Sequence, residues 1–153
     1  MSEAPAGPLV RRARPDDLEA VGEITVAAYA EFTDGPDDHY LDLLRDAARR
    51  DREAELWVAE VDGSVVGAAW LLIAERVPSN DSPDRRYGDV QSVEVREEYR
   101  NRGIGAALIA AILAEAGVRD LLHVTVHSSR RAVDFYQRVG FCHHRQLLLW
   151  EPD

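Results

Sequence analysis

The 153-residue sequence predicts a single α/β domain over residues 9–153, behind a flexible terminus at 1–8, with a mixed sheet flanked by about four helices. Three stretches carry that expectation. The run from Val90 to Ala116 reads as a β-favouring segment, a double-glycine turn and a helix, because Ile104, Leu108, Ile109, Ile112 and Leu113 recur at helical spacing. Glu55 to Val61 and Val65 to Ala74 flank Asp62-Gly63, which marks a tight turn between antiparallel strands. A strand at Leu121 to Val126, a helix at Ser129 to Val139 and a strand at His144 to Trp150 extend the alternation.

Taken in order, Leu9 to Ala13 forms a short first strand. Asp16 and Glu19 have capping-box spacing and start a helix to about Ala30, with Leu18, Val21, Ile24, Thr25 and Ala28 on one face. Glu31 to Asp38 holds a Gly-Pro pair among carboxylates and reads as a loop. Tyr40, Leu41, Leu44 and Ala48 imply a second helix ending near Arg50. The strand at Val65 to Ala74 is apolar on both faces and belongs inside a covered sheet. Glu75 to Gly88, polar with two prolines, reads as a long loop. Gly117 and Gly140 are expected to end helices, and Ser128 or Ser129 to start one.

Composition narrows the function. A net charge of −10 argues against general nucleic-acid affinity, which depends on neutralising phosphates. It is compatible with a cationic acceptor, while plain solubility is the simpler reading. No apolar run reaches the roughly 20 residues that cross a bilayer. The N-terminus lacks the order of a signal peptide, and the single Cys142 excludes an internal disulfide, so the cytoplasm is expected. All 18 basic residues are arginine, a bias carrying little functional weight.

Against that acidic background, Arg100-Asn101-Arg102-Gly103-Ile104-Gly105 stands out. Glycines let backbone N–H groups approach a ligand closely, and the unpaired N–H groups and dipole of a helix start favour an anion. Arg100 and Arg102 add planar, permanently charged forks suited to phosphate. A Rossmann site is excluded by spacing, since its third glycine would be Leu108, and a Walker loop by the absence of Gly-Lys-Ser/Thr.

With R-x-x-G-x-G at Arg100 to Gly105 and F-Y-x-x-x-G-F at Phe135 to Phe141, separated by a helix and a strand, nearly the whole chain resembles the GNAT superfamily of acyl-CoA-dependent N-acetyltransferases. The resemblance implies a sheet splayed at a slot for acetyl-CoA, a co-substrate. It assigns the turn Arg100, Asn101, Arg102, Gly103, Ile104, Gly105 and Ala106 to the pyrophosphate. Val93, Glu94 and Val95 would lie along the pantetheine arm, with Phe135 near it. Tyr136 matches the tyrosine that commonly protonates the departing thiolate. Ser129 stands where many relatives carry asparagine, beside Arg130 and Arg131, which are placed to meet the 3′-phosphate. Gln91 occupies the position where many relatives carry a carboxylate, which puts a dedicated base in doubt. Asp89 is the base candidate, directly or through water; strand alternation puts Asp89 and Gln91 on one face and Glu94 on the other.

The acceptor is the open question. Asp34, Asp37 and Asp38, with Glu31, lie between the first two helices, a region that lines the acceptor side in the family. They favour a small, cationic primary amine, although a solvated turn explains them as well. The alternatives are a non-catalytic acyl-CoA-binding module and an acetyltransferase for protein N-termini or lysines. The five histidines lack metal-ligand spacing. Cys142 reads as a packed small residue, and Trp57, Trp70 and Trp150 as core or sheet-face residues. The last strand offers an edge on which a homodimer could form.

Overall fold

In a computed structural model describing residues 7–29, 38–49 and 54–152, five strands stand side by side in sequence order. β1 (Leu9–Arg12) pairs antiparallel with β2 (Ala54–Val61), β2 with β3 (Ser64–Glu75), and β3 with β4 (Arg86–Val95). β5 (Val124–Val126) runs parallel to β4, making the sheet mixed. At the β2–β3 turn Asp62 and Gly63 both take left-handed φ, 49° and 79°, the geometry that follows the natural twist of paired strands. β3 is central and apolar on both faces.

Helices cover each face. α3 (Ile104–Val118) sets Leu108, Ile109 and Ile112 against Leu71 and Val90, all but fully buried. Its close approach depends on Gly67, where a Cβ would lie 3.1 Å from Ile104 Cγ2 and 3.3 Å from Leu108 Cδ1. The opposite face packs Leu56, Val58, Ala68 and Trp70 around Val21 of α1 (Leu18–Tyr29). α2 (Asp38–Arg49) follows α1, and the six-residue α4 (Val133–Arg138) follows β5.

Several boundaries differ from expectation. α1 is entered through a 3₁₀ turn, Pro15–Asp17, and the capping carboxylate is Asp17, not Asp16: it accepts the Arg14 N–H at 2.6 Å. Asp38 opens α2 and does not close the preceding loop; most of that loop, 30–37, lies outside the described residues. The β3–β4 connection is shorter than Glu75 to Gly88, because both ends join the strands and Ser79 and Ser82 exchange backbone hydrogen bonds within it. Gly117 lies inside the last turn of α3. The left-handed residue is Asp120, and the Leu121 N–H closes back on the Ala116 carbonyl. The strand at Leu121 to Val126 shortens to three residues. The final strand, His144 to Trp150, is absent, and Cys142 and Trp150 are exposed.

Charged pairs pin the periphery. Arg11 donates to both carboxylate oxygens of Asp17 at 2.7 and 3.0 Å and also reaches Glu60 at 3.1 Å, tying β1, the start of α1 and β2 together. Buried Glu55 sits between Arg12, at 3.1 Å, and Arg119. Hydrogen bonds from Arg11, and then from the Arg14 amide, hold the Asp17 carboxyl below its ordinary range against the opposing effect of burial. That stability is present above the ordinary carboxylate range and fades as pH falls through the lowered value. Asp17→Asn should therefore cost about 2 kcal/mol in urea denaturation at neutral pH. The difference from the parent should shrink in acid.

Candidate functional site

The site is built where β4 departs from regular pairing. Ala68 pairs with Glu94 but Trp70 pairs with Gln91, so Ala69 faces the two residues Ser92 and Val93. Ser92 takes a left-handed φ of 51°. One extra residue of this kind leaves ladder donors unpaired and bends the strand. The parallel pairing of β5 with β4 runs only from Gly88–Val124 to Val90–Val126, so β4 continues past the end of β5 through the bulge.

The bulge also resets the faces. Ala68 and Trp70, opposite Glu94 and Gln91, pack toward α1, as does Leu72 opposite Asp89. Leu71 and Val90 pack toward α3. Asp89, Gln91 and Glu94 thus share one face, which corrects the alternation expected from sequence. The inserted residue shifts parity by one.

Two different carboxylates result. Asp89 Oδ2 accepts from Gln91 Nε2 at 3.0 Å, and Oδ1 from the Thr125 hydroxyl at 2.6 Å. Glu94 lies against Thr25 of α1, with one carboxylate oxygen buried and unpartnered among the described residues. Burial pushes its carboxyl up to about 7, partly offset by the Thr25 hydroxyl. Thr25 also donates to the Val21 carbonyl at 3.0 Å, so its single proton is contested.

Past β4, a 3₁₀ turn at Glu97–Tyr99 leads into the glycine turn. Asn101 and Gly103 both adopt left-handed φ, 60° and 76°, and Gly103 caps α3. With no side chain capping the helix start, the first amides of α3 are left without helix partners. Arg100 Nε donates to the Val95 carbonyl at 3.2 Å, and the Arg102 guanidinium lies 5.2 Å from the centre of the Tyr99 ring. Each arginine is braced while retaining free N–H groups. A cavity of about 150 Å³ lies alongside, between Ile24, Ala27 and Ala28 of α1 and Val95, Arg96 and Arg100.

α4 closes the other flank. A Cβ at Gly105 would lie 3.3 Å from Phe135 Cζ, so the ring rests on the glycine. Tyr136 stacks edge-on with Phe135 and Phe141, and burial raises its phenol above the ordinary value. The fold thereby gathers Val93, Val95, Ile104, Gly105, Phe135 and Tyr136 around one end of the sheet. Unpaired helix-start amides, arginine forks and a glycine floor together fit a coenzyme pyrophosphate.

Other expectations fare differently. Ser129 precedes the 3₁₀ turn Arg130–Ala132 through its backbone, with no side-chain cap; Arg131 is exposed there. Asp38 is exposed, while Asp34 and Asp37 lie outside the described residues. Thr25, Ser92 and Thr125 carry no signal in a single sequence, since only the bulge and the neighbouring strand give them roles. No cluster of three potential metal ligands, and no helix long and apolar enough to cross a membrane, occurs among the described residues.

The family model described as Acetyltransferase (GNAT) family matches residues 18–141. The chain is 27% identical over 141 residues to glucosamine 6-phosphate N-acetyltransferase of Trypanosoma brucei brucei, covering 87% of this chain and 94% of that protein. It is 30% identical to an N-alpha-acetyltransferase of Sulfurisphaera tokodaii, covering 86% and 78% respectively. Among solved structures, a predicted acetyltransferase of Clostridium acetobutylicum with acetyl-CoA superposes with a TM-score of 0.74 at 17% identity, over 94% of this chain and 96% of that one.

The raised Glu94 carboxyl has a measurable consequence. Between pH 4.5 and about 7 the folded state keeps a proton that the unfolded chain has lost, so rising pH works against folding on this group's account. Glu94→Gln should remove that slope. Relative to the parent, the variant should gain about 1–2 kcal/mol on going from mildly acidic to mildly alkaline pH, read from chemical denaturation across the window.

Proposed function

This chain belongs to the GNAT acetyltransferase family and is an N-acetyltransferase using acetyl-CoA; from that premise we propose that it acetylates a small primary amine by direct attack, with both substrates bound. The observation that carries the reading is the bulge at Ser92, which opens the β4 ladder just where β5 ends and sets three polar side chains beside the opening.

Bound acetyl-CoA supplies an activated acyl group and a thiolate leaving group, leaving the protein to position groups and manage protons. Arg100, Asn101 and Arg102 with the amides of Gly103, Ile104, Gly105 and Ala106 hold the pyrophosphate. Ser129 and Arg131 stand toward the adenosine end. The backbone of Val93, Glu94 and Val95 aligns the pantetheine arm, and Phe135 walls it. Tyr136, kept protonated by burial, delivers a proton to the departing sulfur.

On the amine side Asp89 acts as base, directly or through water, with Gln91 orienting the acceptor. A second assignment has its own support. Both Asp89 oxygens already accept hydrogen bonds, whereas Glu94 has an unpartnered oxygen and a carboxyl near 7, suited to taking a proton at neutral pH. The carboxylates of Asp38, Asp89 and Glu94, joined by Asp34 and Asp37 in sequence, favour a cationic acceptor. The trypanosomal relative's name, glucosamine 6-phosphate N-acetyltransferase, supports a small-molecule amine.

Thiol release with an amine panel tests the reading. Tyr136→Phe should lower kcat about 10²-fold while leaving KM for acetyl-CoA nearly unchanged. Arg100→Ala and Arg102→Ala should each raise that KM about tenfold with little change in kcat. Background turnover across polyamines, amino sugars and peptide N-termini, with coenzyme A still bound, would replace catalysis by a binding role. Peptide-only turnover would reassign the acceptor.

A further inference from the structure

Beyond Asp89, toward the start of β4, stands a pair of rings that neither the coenzyme turn nor the proton transfers use. Tyr87 on β4 and His123, just before β5, stack with ring centres 5.3 Å apart and planes inclined by 27°. Phe135, Tyr136 and Phe141 instead meet edge-on, at 70° and 80°, inside a packed cluster. The near-parallel pair lies in the open: His123 is exposed and Tyr87 is half-buried.

Strand register sets this pair beside the acceptor groups. Val90, Val124 and Val126 pack toward α3, and a Cβ at Gly88 would meet Leu71 and Val124 on that same side. Alternation therefore turns Tyr87, Asp89, His123 and Thr125 together to the opposite face. Asp89 lies two residues along β4 from Tyr87, a step of about 7 Å. Ala74 stands opposite Tyr87 and Leu72 opposite Asp89, so the strip of β3 alongside is apolar.

The polar groups here are largely spent on one another. Asp89 accepts from Gln91 at 3.0 Å and from the Thr125 hydroxyl at 2.6 Å. A carboxylate offers about four acceptor positions, so Asp89 keeps room for an ammonium. The Thr125 proton and one Gln91 N–H are already committed, which leaves a hydroxyl-rich ligand few donors. A flat apolar ring needs none.

We propose that Tyr87 and His123 form an aromatic platform selecting an acceptor amine that carries an aromatic ring on a short linker. Its ring extends the stack and its nitrogen reaches Asp89. Offset rings pair favourably with centres roughly 4.5–7 Å apart, the range in which Tyr87 and His123 themselves stand. A plain aliphatic amine would engage the carboxylate and leave the rings idle. Such selection rests on the acetyl-transfer reading and narrows its acceptor.

Turnover of phenethylamine, propylamine, putrescine and glucosamine tests the platform. The parent should favour phenethylamine over propylamine about tenfold in kcat/KM, mainly through KM. His123→Ala should bring that ratio close to one, and His123→Phe, which keeps a ring, should restore it. A parent that prefers putrescine or glucosamine, or a ratio that His123→Ala does not move, would overturn the proposal. If no amine is acetylated, the acetyl-transfer reading fails by itself and binding still decides the platform. With coenzyme A present, the His123 ring protons, identified by their loss in His123→Ala, should shift upfield in NMR spectra with phenethylamine and not with propylamine. No such shift would sink the platform.

Discussion

The polar face of the site follows from one extra residue in β4. With regular pairing, Glu94 would face α3 and its carboxylate would be driven into the tightest part of the core, among Leu108, Ile109 and Ile112. The bulge at Ser92 turns Glu94 to the α1 face and breaks the row of backbone bonds at the same point. A left-handed φ at serine costs conformational energy of order 1 kcal/mol, and the paired strand on both sides of the bulge sustains it.

The glycine turn proposed to hold phosphate is placed by packing more than by its own residues. α3 reaches the sheet closely because Gly67 leaves room for Ile104 and Leu108. That contact fixes the first turn of α3 next to Val95, while Phe135 resting on Gly105 fixes α4 and hence Tyr136. Tyr136, the proposed acid, and the proposed bases Asp89 and Glu94 therefore lie on two faces of one sheet region: the acid toward α3 and α4, the bases toward α1.

Much of this was legible from residue order. The Asp62-Gly63 hairpin, the two-sided apolar β3, the glycine turn with its arginines and the Phe135-Tyr136 helix all stand where local signals put them, because each rests on periodicity or turn chemistry within a few residues. The errors share a cause. The parity of Glu94 depends on register with β3, the helix entry at Asp17 depends on Arg11 in another element, and the exposed Leu147 to Trp150 depends on whether a neighbouring strand is at hand. Nonlocal pairing decides all three.

By itself the sequence determined the α/β architecture up to the last strand, the glycine turn with its arginines and the family resemblance, since glycines, arginines and hydrophobic spacing act through local geometry. The tertiary structure alone decided which carboxylates share a face, which of them is desolvated and which is already hydrogen-bonded, and that the last apolar run is left exposed among the described residues. Those outcomes turn on burial and strand register, properties that exist only once distant segments are side by side.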